Sequence, residues 1–256
     1  MRIAFLGLGV MGAPMAGHLA AKGFDVTVWN RTAAKADAWT RAHKGRAAPT
    51  PADAVRDAQI VMTCLGDDAD VEAVMGAINS AVGASSVIVD HTTASPALAR
   101  RLAEDFARRG IGFLDAPVSG GQAGAERGTL SVMCGGAEAT AARVRPAMEA
   151  YAARIVHVGP SGHGQLCKAV NQICIAGLVQ GLAEGVAIRG SDIDIACIKG
   201  YNWPVYRGGP MFWADTIGLD RVVGKLEDFA ARFGAEFTPA PFLVKAAREK
   251  LRLSEI

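Results

Sequence analysis

Six residues near the start limit what this chain can become: Gly7-Leu8-Gly9-Val10-Met11-Gly12. They follow the apolar run Ile3 to Leu8, which reads as a strand, and open the helical stretch Met11 to Lys22. A GxGxxG spacing is weak evidence by itself, but between a strand and a helix it is specific. Gly7 permits a tight turn, Gly9 lets backbone approach a ligand, and Gly12 allows helix and strand to pack closely. The free N–H groups and positive dipole of the helix start suit phosphate. The segment therefore predicts a dinucleotide site made of Gly7, Leu8, Gly9, Val10, Met11 and Gly12.

The rest of the N-terminal half keeps the same rhythm. Asp25 to Asn30, Gln59 to Leu65, Val87 to His91, Gly112 to Pro117, Leu130 to Cys134 and Ile155 to Val158 read as strands. Ala33 to His43 and Ser95 to Arg109 read as helices, with Ser95 as N-cap and Pro96 at the first helical position. Strands alternating with helices imply βαβ units and a doubly wound, mainly parallel sheet of the Rossmann type. After Gly159-Pro160-Ser161-Gly162 the strand signal stops, and Gly164 to about Arg189 reads as a long apolar helix. Tyr201 to Gly218 reads as loops around a short helix. Asp220 to Phe233 has helical periodicity and is closed by Gly234. The expected architecture is α/β: a Rossmann domain over residues 1–161, then a short all-helical region over 162–256.

Composition narrows the function classes. Of 256 residues half are hydrophobic and a fifth charged, a globular profile, and a net charge of +2 without a basic block gives no footprint for nucleic acid. No apolar stretch reaches the roughly 18–20 residues of a membrane span, and the first residues lack a signal-peptide layout. Cys64, Cys134, Cys167, Cys174 and Cys197 are odd in number and form no CxxC pair. A soluble protein of the reducing cytoplasm is expected, with neither a disulfide framework nor a metal site. His91, His157 and His163 fall on different elements and read as structural or loop residues.

Cofactor choice rests on the end of the second strand. An NAD site usually carries Asp or Glu there, whereas this chain has Asn30-Arg31-Thr32. A guanidinium unopposed by a carboxylate can take a 2′-phosphate through two hydrogen bonds, which predicts NADP, with NAD still allowed. Cys64 and Leu65, closing the strand Gln59 to Leu65, join the expected cofactor set.

Two later segments carry chemistry. Asp115-Ala116-Pro117-Val118-Ser119-Gly120-Gly121 leaves a strand and sets a hydroxyl beside glycine N–H groups, a nest for a small carboxylate. Standing alone, it reads equally well as a loop that needs glycine for its path. Gly162-His163-Gly164-Gln165-Leu166-Cys167-Lys168-Ala169-Val170-Asn171 opens the long helix, with Lys168 and Asn171 on one face. A Lys in an apolar helix is either snorkelling or desolvated for proton transfer, and its company favours the second.

Together these three segments resemble the signatures of the β-hydroxyacid dehydrogenase family, which includes 3-hydroxyisobutyrate dehydrogenase and tartronate semialdehyde reductase and is related to 6-phosphogluconate dehydrogenase. The resemblance runs from Arg2 to about Gly185. It implies that Lys168 is the catalytic Lys and that Asn171 orients the substrate. It also implies that Ser119, Gly120 and Gly121 hold the substrate carboxylate, and that Thr92 and Thr93 lie near the nicotinamide. Family variants that reduce imines usually replace the Lys, so Lys168 implies alcohol–carbonyl chemistry on a small hydroxy acid or semialdehyde.

Beyond residues 185–190 the chain departs from that family. Ser191 to Asp194, Tyr201 to Pro204, Arg207 to Phe212 and Ala214 to Thr216 resemble the C-terminal end of multifunctional 3-hydroxyacyl-CoA dehydrogenases. The tail therefore reads as chimeric. Three functions stay open: a hydroxy acid dehydrogenase, a dinucleotide-binding protein whose exchanged tail prevents turnover, and a hydroxyacyl-CoA dehydrogenase. Family relatives form dimers or tetramers, which leaves a homo-oligomer open as well.

Overall fold

In the computed structural model, residues 1–172, 210–233 and 238–253 are described. The chain divides into two compact units, Met1–Ala169 and Val170–Ile256.

The first unit is built on a sheet that has nine strands among the described residues. Chain order is β1 Arg2–Leu6, α1 Gly12–Ala21, β2 Asp25–Trp29, α2 Ala33–Ala42, β3 Arg46–Ala47, α3 Pro51–Val55, β4 Ile60–Thr63 and α4 Asp68–Ile78. It continues with β5 Val87–Asp90, α5 Pro96–Ala107, β6 Gly112–Asp115, β7 Val118–Ser119, α6 Gly121–Arg127, β8 Leu130–Gly135, α7 Glu138–Met148 and β9 Ala152–Gly159. A further helix, α8, is described over residues 163–172. The strands lie in the order β3-β2-β1-β4-β5-β6-β8-β7, with β9 pairing β8. Pairing is parallel from β3 through β6 and antiparallel where β8 meets β6 and β7.

Both faces of this sheet are covered, which is why its central strands are apolar runs with little alternation. Side chains still divide by the period of two. Ile3, Phe5, Ile60, Met62, Val87 and Val89 face a core shared with Met15 and Leu19 of α1, Trp39 of α2, and Val144 and Met148 of α7. Ala4, Leu6, Val61 and Ile88 face the opposite core with Val55, Val71, Met75, Ile78, Leu98, Leu102 and Phe106. Each large side chain removed from water contributes about 1.5–3 kcal/mol, so the two cores together hold the sheet.

The strands and helices expected from sequence within the described residues are present, ends shifting by one to three residues. Of the long helix expected from Gly164 to about Arg189, the part beyond 172 lies outside the described residues. Ser95 caps α5 through the Leu98 N–H, with Pro96 in the first turn. The helices α3, α4, α6 and α7 fill stretches that the sequence reading leaves unassigned. Helix α4 begins at an Asp67 cap and carries a regular Val71, Val74, Met75, Ile78 stripe, whereas α7 contains Pro146, ordinarily a helix breaker.

In the second unit, helices α9 Pro210–Ile217, α10 Leu219–Phe233 and α11 Pro241–Glu249 bury Met211, Ala214, Leu219, Val223, Leu243 and Ala246 against one another. Leu253 N–H donates to Asp215 Oδ1 at 2.8 Å, closing the end of the chain on α9. The expected loops over 201–209 and the closing Gly234 lie outside the described residues. No described helix is long and apolar enough to cross a membrane.

Two motif glycines separate fold from ligand. A Cβ on Gly12 would lie 2.0 Å from the Gly7 carbonyl oxygen, whereas one on Gly9 would meet nothing within 4 Å. Gly12→Ala is therefore expected to lower stability by about 2–4 kcal/mol. Thermal unfolding compared with Gly9→Ala checks this, since Gly9→Ala should leave the midpoint unchanged.

Candidate dinucleotide and catalytic site

The C-terminal ends of β2, β1 and β4 surround the crevice where the sheet changes winding direction, the usual ligand position in such folds. Gly7 sits there at φ +100°, with its N–H donating to the Trp29 carbonyl at 2.9 Å. A Cβ at that position would lie 2.3 Å from the Cys64 carbonyl oxygen, so only glycine fits. Asn30 braces the turn: its Oδ1 accepts from Leu8 N–H at 2.8 Å and its Nδ2 donates to the Thr32 carbonyl at 3.1 Å. Helix α1 starts at Met11 with no side-chain cap, which leaves its first N–H groups available to an anion.

A cleft of about 590 Å³ opens beside this turn, lined by Gly7, Gly9, Asn30, Arg31, Thr32, Cys64 and Leu65 on one part and by Ala73, Val74 and Ala77 of α4 on another. Its size, the open space over Gly9 and the uncapped helix fit a nicotinamide dinucleotide. Lys35 and Asp70 also line it, and neither is singled out by the sequence. Burial, with the Asp90 carboxylate adding to it, pushes the Cys64 thiol up to about 12, so Cys64 is a neutral wall residue. Leu8 is buried, while Val10 is exposed and Met11 half-buried.

The Arg31 guanidinium is not unopposed, contrary to what the Asn30-Arg31-Thr32 segment implies. Arg31 does face a carboxylate: its Nη1 lies 2.8 Å from Asp70 Oδ1, contributed by α4. The partners are 39 residues apart, so no local pattern could show it.

Farther along the sheet a buried polar network organises the second group of candidate residues. Asp90, at the end of β5, accepts from Thr63 Oγ1 at 2.8 Å and from Thr92 N–H at 3.0 Å. Burial outweighs these bonds and raises its pKa to about 6. Thr92 is buried and its Oγ1 accepts from Leu65 N–H at 2.9 Å, tying its loop to the cofactor cleft, whereas Thr93 is exposed. His91 Nδ1 lies 2.7 Å from the Ala116 carbonyl and Nε2 lies 2.8 Å from Tyr151 Oη. A neutral ring donating from Nδ1 and accepting from the tyrosine satisfies both contacts. Burial lowers the pKa of His91 to about 4.

Asp115 ends β6 and turns toward α8. Its Oδ1 accepts from Gly162 N–H at 2.8 Å and its Oδ2 from Gln165 N–H at 3.0 Å, so it caps α8 from a distant strand. Burial raises the Asp115 pKa, opposed by these N–H groups. Close approach requires glycine on the helix: a Cβ on Gly164 would lie 2.4 Å from the Asp115 carbonyl oxygen and 2.5 Å from that of Met133. Gln165, itself buried, then donates from Nε2 to the Thr92 carbonyl at 2.7 Å and accepts at Oε1 from Ala94 N–H at 3.1 Å. Asp115 and Gln165 stand inside the two later motifs, where local spacing assigns neither of them a role.

Lys168 stands one turn beyond Gln165, half-buried and without an ion-pair partner among the described residues. Burial lowers its pKa below the ordinary lysine value. Ser119 closes β7, pairing with Ser131 of β8, and Gly120 and Gly121 follow at φ +127° and +59°. A Cβ on Gly121 would meet nothing within 4 Å, so that loop also presents backbone to open space. Asn171 is half-buried and belongs to the second unit.

Fold and cleft together define a Rossmann protein that binds a nicotinamide dinucleotide. Residues 2–159 match the family described as the NAD binding domain of 6-phosphogluconate dehydrogenase. The chain belongs to that family, within the β-hydroxyacid dehydrogenases. An uncharacterized oxidoreductase of Shewanella frigidimarina is 54% identical over 188 residues, 72% of this chain and 65% of its own length. The NAD-dependent L-serine dehydrogenase of Pseudomonas aeruginosa is 36% identical over 190 residues, 73% of this chain and 63% of its own. The chain thus spans less than two thirds of either relative. An uncharacterized oxidoreductase of Synechocystis matches over 98% of this chain at 36% identity, so its similarity extends through the tail. Among solved structures, 3-hydroxyisobutyrate dehydrogenase of Mycobacterium tuberculosis with L-serine superposes with a TM-score of 0.67 at 29% identity, covering 99% of this chain and 95% of that one.

The pKa of His91 gives a pH test. Above pH 6.5 His91 is neutral folded or unfolded. Between about 4 and 6.5 only the unfolded chain takes its proton, so stability falls as pH falls. Relative to His91→Gln, the unchanged protein should lose stability across that window with a slope approaching about 1.4 kcal/mol per pH unit. Urea unfolding at a series of pH values measures it.

Proposed function

We propose that this chain is an NAD(P)-dependent oxidoreductase interconverting a small β-hydroxy acid and its carbonyl form, with Lys168 moving the proton and NADP the preferred cofactor. The observation that carries the reading is the placement of Lys168. It is a desolvated amine on a helix that Asp115 caps and Gln165 ties to the Thr92–Ala94 loop, and Thr92 in turn holds the edge of the cofactor cleft.

When bound, the nicotinamide supplies or accepts the hydride. Gly7, Gly9 and the start of α1 would hold the pyrophosphate, and Arg31, with Lys35 beside it, would meet a 2′-phosphate. Ser119 and the N–H groups of Gly120 and Gly121 bind the substrate carboxylate, while Asn171 orients the reacting carbon. Lys168 donates its proton to the carbonyl oxygen in reduction and accepts it from the hydroxyl in oxidation. The relatives named for L-serine and for 2-(hydroxymethyl)glutarate support a small hydroxy acid as substrate class.

Similarity to the Synechocystis oxidoreductase over 98% of this chain supports reading the tail with the rest of the enzyme. NADPH oxidation with glyoxylate, succinic semialdehyde and tartronate semialdehyde tests the proposal. Lys168→Ala should lower kcat by about 10²- to 10⁴-fold while cofactor binding persists. The reduction rate should fall as pH rises through the lowered Lys168 pKa, and the oxidation rate should rise through the same value. Binding of NADPH with no turnover on any substrate would reduce the function to dinucleotide binding.

A further inference from the structure

The N-cap and first turn of α4 carry three carboxylates within four residues, Asp67, Asp68 and Asp70, and the fold gives each a different task. Asp67 accepts from the Asp70 N–H at 3.0 Å and caps α4. Asp68 accepts from the Ser95 N–H at 2.8 Å and fastens α4 to the start of α5. Asp70 alone turns to the cofactor cleft, where its carboxylate lines the wall and meets Arg31 at 2.8 Å. Gly66 leaves it room, since a Cβ on Gly66 would lie 2.5 Å from Asp70 Oδ2. Its side chain retains 33% of its exposure and that of Arg31 81%, so Asp70 is the fixed partner and Arg31 the free one.

We propose that Asp70 is a cofactor-selecting residue: it holds Arg31 across the cleft and restrains the chain's preference for a dinucleotide bearing a 2′-phosphate. The proposal rests on the reading of this cleft as the dinucleotide site. A 2′-phosphate is a dianion and must draw the Arg31 guanidinium away from Asp70 while enduring the carboxylate nearby. A 2′-hydroxyl carries no charge, makes no such demand and can coexist with the pair. Asp70 therefore opposes one cofactor and is indifferent to the other, although it lies far in sequence from the strand end where such choice is usually read. Lys35, on the same wall, offsets part of that opposition.

Binding of NADP+ and NAD+ measured by calorimetry on the full chain tests this. Because the pair is largely exposed, Asp70→Asn should tighten NADP+ by about threefold to tenfold and leave NAD+ within about twofold. Arg31→Ala should weaken NADP+, and adding Asp70→Asn to it should recover much less than it gains with Arg31 present. Equal changes for both cofactors, no change, or a full gain in the Arg31→Ala background would overturn the selector while leaving the dinucleotide site intact. If the unmodified chain bound neither cofactor, the reading of the cleft would fail, and the selector with it. Unchanged thermal midpoints would separate either result from misfolding.

Discussion

A buried carboxylate at the end of a strand sets the geometry of the candidate active site. Asp115 accepts hydrogen bonds from the N-terminus of α8 across 47 and 50 residues of sequence, in a site whose burial opposes its charge. Hydrogen bonds to a charged group contribute about 1.5–3 kcal/mol each, and the dipole of α8 adds to them. Those bonds require the helix to come within contact of β6 and β8, which Gly164 on the helix and Gly135 on β8 permit. Removing the carboxylate would leave buried N–H groups unpaired. The position of Lys168, and of the loop leading to Ser119, follows from this one junction.

From Asp115 the order spreads outward through polar groups. Gln165 fixes the Thr92–Ala94 loop, Thr92 fixes Leu65, and Leu65 borders the cleft beside Gly7. His91 and Tyr151 support the same loop from beneath, with the imidazole held neutral by burial. Hydrogen-bonded chains of this kind in a low-dielectric interior polarise and strengthen one another, which stiffens the loop they meet. The helix that carries Lys168 and the Leu65 edge of the cleft are thereby parts of one framework.

The membership of this chain in its family rests on the Rossmann half, where the match is dense. The tail is less uniform: two relatives match over about 190 residues, while the Synechocystis protein matches across nearly the whole chain. The second unit has its own small core of Met211, Leu219, Val223 and Leu243.

The sequence by itself determined the strand–turn–helix at Gly7–Gly12, the alternation that makes a doubly wound sheet, and the Ser95 cap. Each is a local pattern: steric demand on glycine, a period of two or 3.6, a side chain reaching its own backbone. The partial burial of Lys168 was legible for a similar reason, since a charge on an apolar helix contradicts its surroundings. Helix α7 was masked by its internal Pro146, whereas α4 carried both an Asp67 cap and a regular Val71, Val74, Met75, Ile78 stripe, a local signal that went unread. Only the tertiary structure decided that Asp115 caps a helix three strands later, that Gln165 reaches Thr92, and that Asp70 faces Arg31. Those contacts join residues dozens of positions apart, and partners of that kind are chosen by how the layers pack, which no local spacing records.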